Sequence, residues 1–464
     1  MSSAAFASAC DIADAVIGGK RGAVEVIAMT LARIEEVDKR LNAFTAVTAD
    51  RARASAVAID AAAASGKPIG PLAGVPFAVK NLIDIAGIPT LAGSRINRDH
   101  PGAADDARLV SRLEAAGAIL VGALNMGEYA FDFTGENCHY GPSRNPHDIA
   151  RMTGGSSGGS GGAVAGGLVP LALGSDTNGS IRVPSSFCGV FGLKPTYGRL
   201  SRAGSFPFVS SLDHLGPLAR STTDLALAYD AMQGPDPHDP ACADRPAEPV
   251  AALLGAGVAG LRVAKAGGYF RAGASAEALA ALDTVAAALG ADREIEIPEA
   301  ARARAAAYVI TSSEGAALHL ERLRGRSDDF DPDVRDRLIA GALVPGSAVV
   351  KAQKFRRWFR SAVLRLFEKV DAILAPATPC VAPMIGQKTL RLDGKEMPLR
   401  PNIGIYTQPI SFIGLPVVAV PIPGTQGLPI GVQIIAAPWR EDIALRLSHH
   451  LERAGVVRAP LPPG

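Results

Sequence analysis

One lysine and two serines carry the side chains best suited to chemistry in this 464-residue chain. Lys80 ends the apolar run Val75-Pro76-Phe77-Ala78-Val79. That run reads as a short buried strand, and a lysine at its end is partly desolvated, which disfavours the ammonium form and makes the amine a general base. To be neutral near pH 7 its pKa must fall from about 10.4 by roughly 3 units, a shift that burial supplies. Ser156 and Ser180 lie further along, in a glycine-dense stretch from Thr153 to Arg199. A serine hydroxyl is a poor nucleophile until a neighbour takes its proton. No histidine lies near either serine in sequence, and serine–lysine arrangements are an accepted variant of the triad logic.

Between Thr153 and Gly192 there are 12 glycines in 40 residues, against 50 in the 464 of the whole chain. A flexible linker has such a composition. Here, however, the run passes directly into AVAGGLVPLAL and then PSSFCGVFGLKP, apolar segments that need burial. Glycines inside a core allow close backbone approach, so N–H groups gather around a reacting group, as an oxyanion requires. Taken alone, Ser180 in Asn178-Gly179-Ser180 reads equally as a turn residue.

Lys80, the tract Gly154-Gly155-Ser156-Ser157-Gly158-Gly159-Ser160 and the tract Gly174-Ser175-Asp176-Thr177-Asn178-Gly179-Ser180-Ile181-Arg182 occur in this order and resemble the amidase signature family. The likeness runs from the Asn125-to-Asn145 region to Leu415-Pro416 and Gly431-Val432-Gln433. It implies an α/β fold with a central mixed twisted sheet flanked by helices. It also implies roles: Ser180 as nucleophile, Ser156 as a relay serine in a cis peptide, Lys80 as base, and the backbone N–H groups of Thr177, Asn178, Gly179 and Ser180 as oxyanion hole. An acyl-enzyme would form and be hydrolysed by the same route in reverse. A catalytically silent scaffold that kept the fold is the non-enzyme alternative, and the presence of all three catalytic residue types counts against it.

Many members of the family have glycine where this chain has Asn178; asparagine tolerates positive φ better than other residues, so the loop keeps its shape. The form Asn178-Gly179-Ser180-Ile181-Arg182-Val183-Pro184, with Tyr197 to Phe206 after it, is similar to the biuret and 1-carboxybiuret hydrolase branch. That likeness implies release of ammonia from a small ureide. It places Tyr308 and Arg337 near the substrate-reading positions, with Arg335 an equal neighbour, and an arginine there suits a carboxylate. The related A-type components of amidotransferases, which strip glutamine, would show Arg-Tyr/Phe-Asp-Gly soon after Tyr308 to Glu314; this chain has Ala316-Ala317-Leu318-His319-Leu320-Glu321-Arg322. A general aliphatic or aryl amidase is the other reading within catalysis. Both nearer branches imply a homo- or hetero-oligomer and a small helical accessory subunit.

The length exceeds what one core usually supports, but the resemblance implies a single domain over 1–464: helices in 1–65, the signature core in 70–235, a variable substrate-side region in 236–365, and strands with a closing helix in 371–455. Charge is nearly balanced, 47 basic against 45 acidic residues, so no nucleic-acid partner or membrane surface is expected. Cys10, Cys138, Cys188, Cys242 and Cys380 are odd in number and widely spaced, which fits a reducing cytoplasm. Asp11 and Asp14 stand early with no basic leader, so no signal peptide is expected. No apolar run approaches 18 residues, which predicts no transmembrane helix. With no Walker A, HExxH or EF-hand pattern, neither metal nor cofactor is expected.

The positioning elements follow from periodicity. Val24, Ile27, Leu31, Ile34, Val37 and Leu41 predict one buried helix face. Further helices are expected at about 49–65, 105–117, 221–232 with a capping box at Ser221 and Asp224, 275–289, 299–323, 351–370 and 442–455. Strands are expected at 75–80, 118–121, 261–264, 294–297 and 371–375, with two more in 414–435. Gly255, Gly257 and Gly260 match GxGxxG but lack the flanking strand and helix, and the two GxSxG matches at Ser156 and Ser157 follow a polar segment. The 351–370 helix is expected to bury Phe355, Trp358 and Phe359 and solvate its cations. The 234–249 tract reads as a surface excursion, His139 as structural, and His449-His450 as helix surface.

Overall fold

The computed structural model describes residues 6–424 and 427–463. Its strands are β1 (Phe44–Val47), β2 (Pro76–Lys80), β3 (Ile119–Leu124), β4 (Arg144–Asn145), β5 (Asp148–Met152), β6 (Leu171–Asp176), β7 (Phe191–Lys194), β8 (His214–Ala219), β9 (Val263–Ala266), β10 (Arg293–Ile295), β11 (Ala372–Pro376), β12 (Thr389–Leu392), β13 (Lys395–Pro398), β14 (Val417–Ile422) and β15 (Ile430–Ala436). Eleven of them form one mixed sheet in the order β1-β3-β2-β6-β8-β7-β14-β15-β11-β9-β10, while β4 with β5 and β12 with β13 form two small ribbons. The α/β architecture is the expected one.

Successive side chains of a strand point to opposite faces. In β2, Phe77 and Val79 join one apolar cluster with Leu171 and Leu173 of β6, and Ala78 joins a second with Ala172 and with Ile119 and Val121 of β3. Helices cover both faces, so these strands read as unbroken apolar runs without alternation. Strand β2 is parallel to β3 on one side and to β6 on the other. The carboxyl ends of β2 and β6 therefore lie side by side, and that is where Lys80 and Asp176 stand.

Several local expectations are adjusted. The helix Ala23–Leu41 buries Ala23, Val26, Ile27, Ile34 and Leu41, whereas Val24 is 45% exposed; the stripe runs one residue off the assumed start. Ser221 does accept from Asp224 N at 3.0 Å, but the reciprocal half of a capping box is missing. The Asp224 carboxylate instead accepts from Cys10 N at 3.0 Å, tying the N-terminal helix Ala9–Ile17 to the helix Thr222–Met232. The basic helix spans Gly346–Leu364, earlier than expected. It buries Phe359 and half-buries Phe355 but leaves Trp358 47% exposed. Its Arg356 is not solvated: Nε and Nη2 donate to Phe412 O and Ser211 O at 2.6 and 2.8 Å. The 234–249 excursion is pinned by its carboxylates, Asp236 by Arg108 and Ser201, and Asp239 by Arg202. A helix at Pro332–Ala342 has no counterpart among the expected elements, and no described helix is long and apolar enough to cross a membrane.

Candidate active site

The helix Gly158–Ala165 packs on β2, β3, β6 and β8. Its glycines permit that contact: a Cβ on Gly159 would stand 2.5 Å from the carbonyl oxygens of Ala43 and Asn125. The chain enters this helix through a cis Gly155–Ser156 peptide, and Ser156 stands against the end of β2. Lys80 Nζ lies 2.6 Å from Ser156 Oγ, 3.1 Å from Ser157 Oγ and 2.9 Å from Ser175 Oγ. All four side chains are buried. Burial pushes the Lys80 ammonium down to about 7, against the pull of Asp176, Asp213 and Asp132.

The hydroxyl of Ser157 donates to Ser175 O at 3.2 Å, so toward Lys80 it acts as an acceptor. A neutral amine has two N–H donors and one lone pair. With the donors directed to Ser157 and Ser175, the lone pair is left for the Ser156 hydroxyl. Sequence reasoning sets Ser157 aside as a chance GxSxG match and does not single out Ser175, although both sit in the same glycine-rich tracts as Ser156 and Ser180.

The second tract leaves β6 at Asp176 and turns back at Arg182. Gly179 has φ +142, and a Cβ there would meet Thr407 Oγ1 at 2.2 Å. Thr407 Oγ1 donates to Asn178 O at 2.6 Å, and Thr177 Oγ1 donates to Asp213 Oδ1 at 2.6 Å. Asn178 itself has no positive φ, so its left-handed tolerance is not what the loop uses. The backbone N–H groups of Thr177, Asn178, Gly179 and Ser180 find no acceptor among the described residues. The Ser180 hydroxyl likewise has no partner there, and Ser180 lines a cavity of about 740 Å³.

Tyr308 and Arg337 line the same cavity, and Arg335 does not; Arg335 turns to Asp336 at 3.0 Å. Arg337 is held by carbonyls, Nε donating to Asp333 O at 2.6 Å and Nη2 to Phe131 O at 2.5 Å, with its guanidinium 4.0 Å from the Phe131 ring centroid. A second cavity arginine escapes sequence reading. Arg304 donates through Nε to Gln408 Oε1 at 3.0 Å and through Nη2 to Asn402 Oδ1 at 3.0 Å. Among the described residues neither Arg304 nor Arg337 has a carboxylate partner. Arg400, also in the cavity wall, differs: it pairs with Asp132, Glu136 and Asp333 at 3.0, 3.2 and 3.1 Å. His139 stands outside the cavity lining and bonds to Glu128 Oε1 at 3.0 Å, a structural place.

The amidase family model matches residues 25–445. The chain is 55% identical to a 1-carboxybiuret hydrolase component from Pseudomonas sp. (strain ADP) over 450 residues, covering 97% of this chain and 98% of that one. It is 37% identical to the A-type component of the glutamyl-tRNA(Gln) amidotransferase from Moorella thermoacetica over 480 residues, covering 97% and 96%. A solved structure described as a vestigial protein complex that reveals the origins of an s-triazine catabolic enzyme superposes with a TM-score of 0.97 at 54% identity, over 98% of this chain and 100% of that one.

Proposed function

This chain belongs to the amidase signature family and is an amidohydrolase acting on C–N bonds, and from that premise we propose that it releases ammonia from a small anionic ureide, 1-carboxybiuret first, through Ser180, Ser156 and Lys80. The observation that carries the reading is the 2.6 Å contact between Lys80 Nζ and Ser156 Oγ in a fully buried setting. The neutral amine takes the Ser156 proton as Ser156 takes the proton of Ser180, and Ser180 Oγ attacks the amide carbonyl. The oxyanion faces the unpaired N–H groups of Thr177 to Ser180, each such donor being worth about 2.7–4 kcal/mol in comparable sites. The proton returns through Ser156 to the departing nitrogen, the C–N bond breaks and ammonia leaves. Water then adds to the acyl-enzyme by the reverse route, restoring Ser180 and the neutral Lys80.

A negatively charged substrate is supported by Arg304 and Arg337, two cavity arginines without a carboxylate of their own. A guanidinium donates to two carboxylate oxygens through its fork. The ureide is favoured over glutamine by the higher identity to the 1-carboxybiuret hydrolase component than to the amidotransferase component, 55% against 37%. A small accessory subunit belongs to this reading, since the 1-carboxybiuret hydrolase relative is itself one component of a larger enzyme and the solved structure is a complex. We also read 1–464 as one amidase domain, in keeping with strands from Phe44–Val47 to Ile430–Ala436 sharing one sheet, and place it in the cytoplasm, which its five free cysteines suit.

The test is ammonia release from biuret, 1-carboxybiuret, glutamine and a simple aryl amide in parallel, with Ser180→Ala as control. Release from the ureides that vanishes in the variant is the expected result. Preference for glutamine or the aryl amide would overturn the substrate, and full activity of Ser180→Ala would overturn the mechanism.

A further inference from the structure

The side chain of Asn178 is placed as if something were still to bind it. Its Nδ2 donates to Thr311 Oγ1 at 3.0 Å, while its Oδ1 is buried and has no hydrogen-bond partner among the described residues. The main chain beneath it is fixed as well, the Asn178 carbonyl accepting from Thr407 Oγ1 at 2.6 Å. A buried acceptor left unpaired is unfavourable and calls for a partner that arrives from outside the protein. Asn178 also lines the 740 Å³ cavity, two residues before Ser180.

Its anchor shows which part of the substrate it meets. Arg304, Tyr308 and Thr311 follow one another at spacings of four and three on the helix Ala300–Arg326, so they share a face, and all three line the cavity. The Thr311 contact therefore stitches the Ser180 loop to the same helix face that offers Arg304 to an anion. Asn178 and Arg304 line the cavity and Ser156 does not; with the departing nitrogen turned to Ser156 to recover its proton, the acyl side of the scissile carbonyl extends into the cavity that Asn178 and Arg304 line.

We propose that Asn178 Oδ1 accepts a hydrogen bond from an N–H on the acyl side of the scissile carbonyl, and thereby selects ureides over carboxamides that carry a methylene at that position. The proposal rests on the ureide reading above and adds the residue that enforces it. A methylene leaves Oδ1 buried and unpaired in the complex, and sites built around a substrate N–H discriminate strongly against analogues that lack it.

Two isosteric pairs test this with the purified chain, together with any protein that co-purifies. Biuret and malonamide differ only by NH against CH2, as do the anions N-carbamoylglycine and succinamate. Intrinsic reactivity cancels when the ratio of kcat/KM within a pair is compared between wild type and Asn178→Gly. The expected result is a fall of that ratio by at least about tenfold, the ureide losing rate while the methylene analogue keeps or gains it. Thr311→Val, which only releases the amide, shifts the ratio the same way by less and serves if the glycine variant does not fold. Equal losses on both members of a pair, or an unchanged ratio, would overturn the proposal and leave the ureide reading standing. A wild type inert toward every ureide would overturn both.

Discussion

Asp176 and Arg182 close the base of the loop that carries Ser180. Arg182 Nη2 and Nε each lie 2.9 Å from Oδ1 and Oδ2 of Asp176, with both side chains fully buried. The pair is fixed further by β15 of the same sheet and by Ser411, Arg182 Nη1 donating to Gln433 Oε1 at 2.6 Å and Ser411 Oγ donating to Asp176 Oδ1 at 3.0 Å. Burial alone would raise the Asp176 pKa, but Arg182 outweighs it and holds the carboxyl well below the usual range. Removing one partner strands a buried charge. Arg182→Met is expected to destabilise the fold by about 3–5 kcal/mol, read as the shift in the denaturant midpoint at unchanged slope.

Ser180→Ala should separate activity from stability. Loss of the proposed nucleophile is expected to lower kcat by at least about 10⁴-fold. Because the hydroxyl makes no hydrogen bond among the described residues, unfolding should shift by no more than about 0.5 kcal/mol. A large drop in melting temperature would contradict this placement of the side chain.

The reaction should gain rate with pH through about 7, since burial lowers the Lys80 pKa to about 7 and the proposed base must be neutral. Stability follows in the same direction. Between the folded value and the unfolded one near 10.4, the unfolded chain binds a proton that the folded chain does not, so stability rises with pH across that window. The penalty is fully present below pH 7. Lys80→Met should therefore be inactive yet more stable than wild type at pH 6, by up to about 4 kcal/mol, with the gap closing toward pH 10. Buried Lys194, also lowered to about 7, keeps a residual slope in the variant. Urea unfolding at pH 6, 7, 8 and 9 reads both.

Arg304→Met and Arg337→Met should each raise KM for 1-carboxybiuret by about 10–100-fold while changing KM for neutral biuret little. Arg400 is already matched by three carboxylates. Its replacement should instead loosen the Asp132 segment and lower stability, with no preference for substrate charge. Steady-state kinetics on the two ureides distinguish the three arginines.

Sequence by itself determined the parts whose cause is local. An unbroken apolar run ending in lysine marks a strand buried on both faces, and glycines packed among apolar residues mark close backbone approach. The two glycine tracts after Lys80 then mark where its partner Ser156 and the cavity residue Ser180 stand. Tertiary structure decided everything that depends on which strands are neighbours. Placing β6 beside β2 brings Ser175 to Lys80 across 95 residues. The helix Ala300–Arg326 brings Thr311 to Asn178 across 133 residues, and β15 brings Gln433 to Arg182 across 251. The exposure of Val24 and Trp358 and the docking of Asp224 on Cys10 belong to the same class. Periodicity records which way a side chain faces along its own element; the partner waiting there is set by sheet order and helix packing, through contacts that no local pattern encodes.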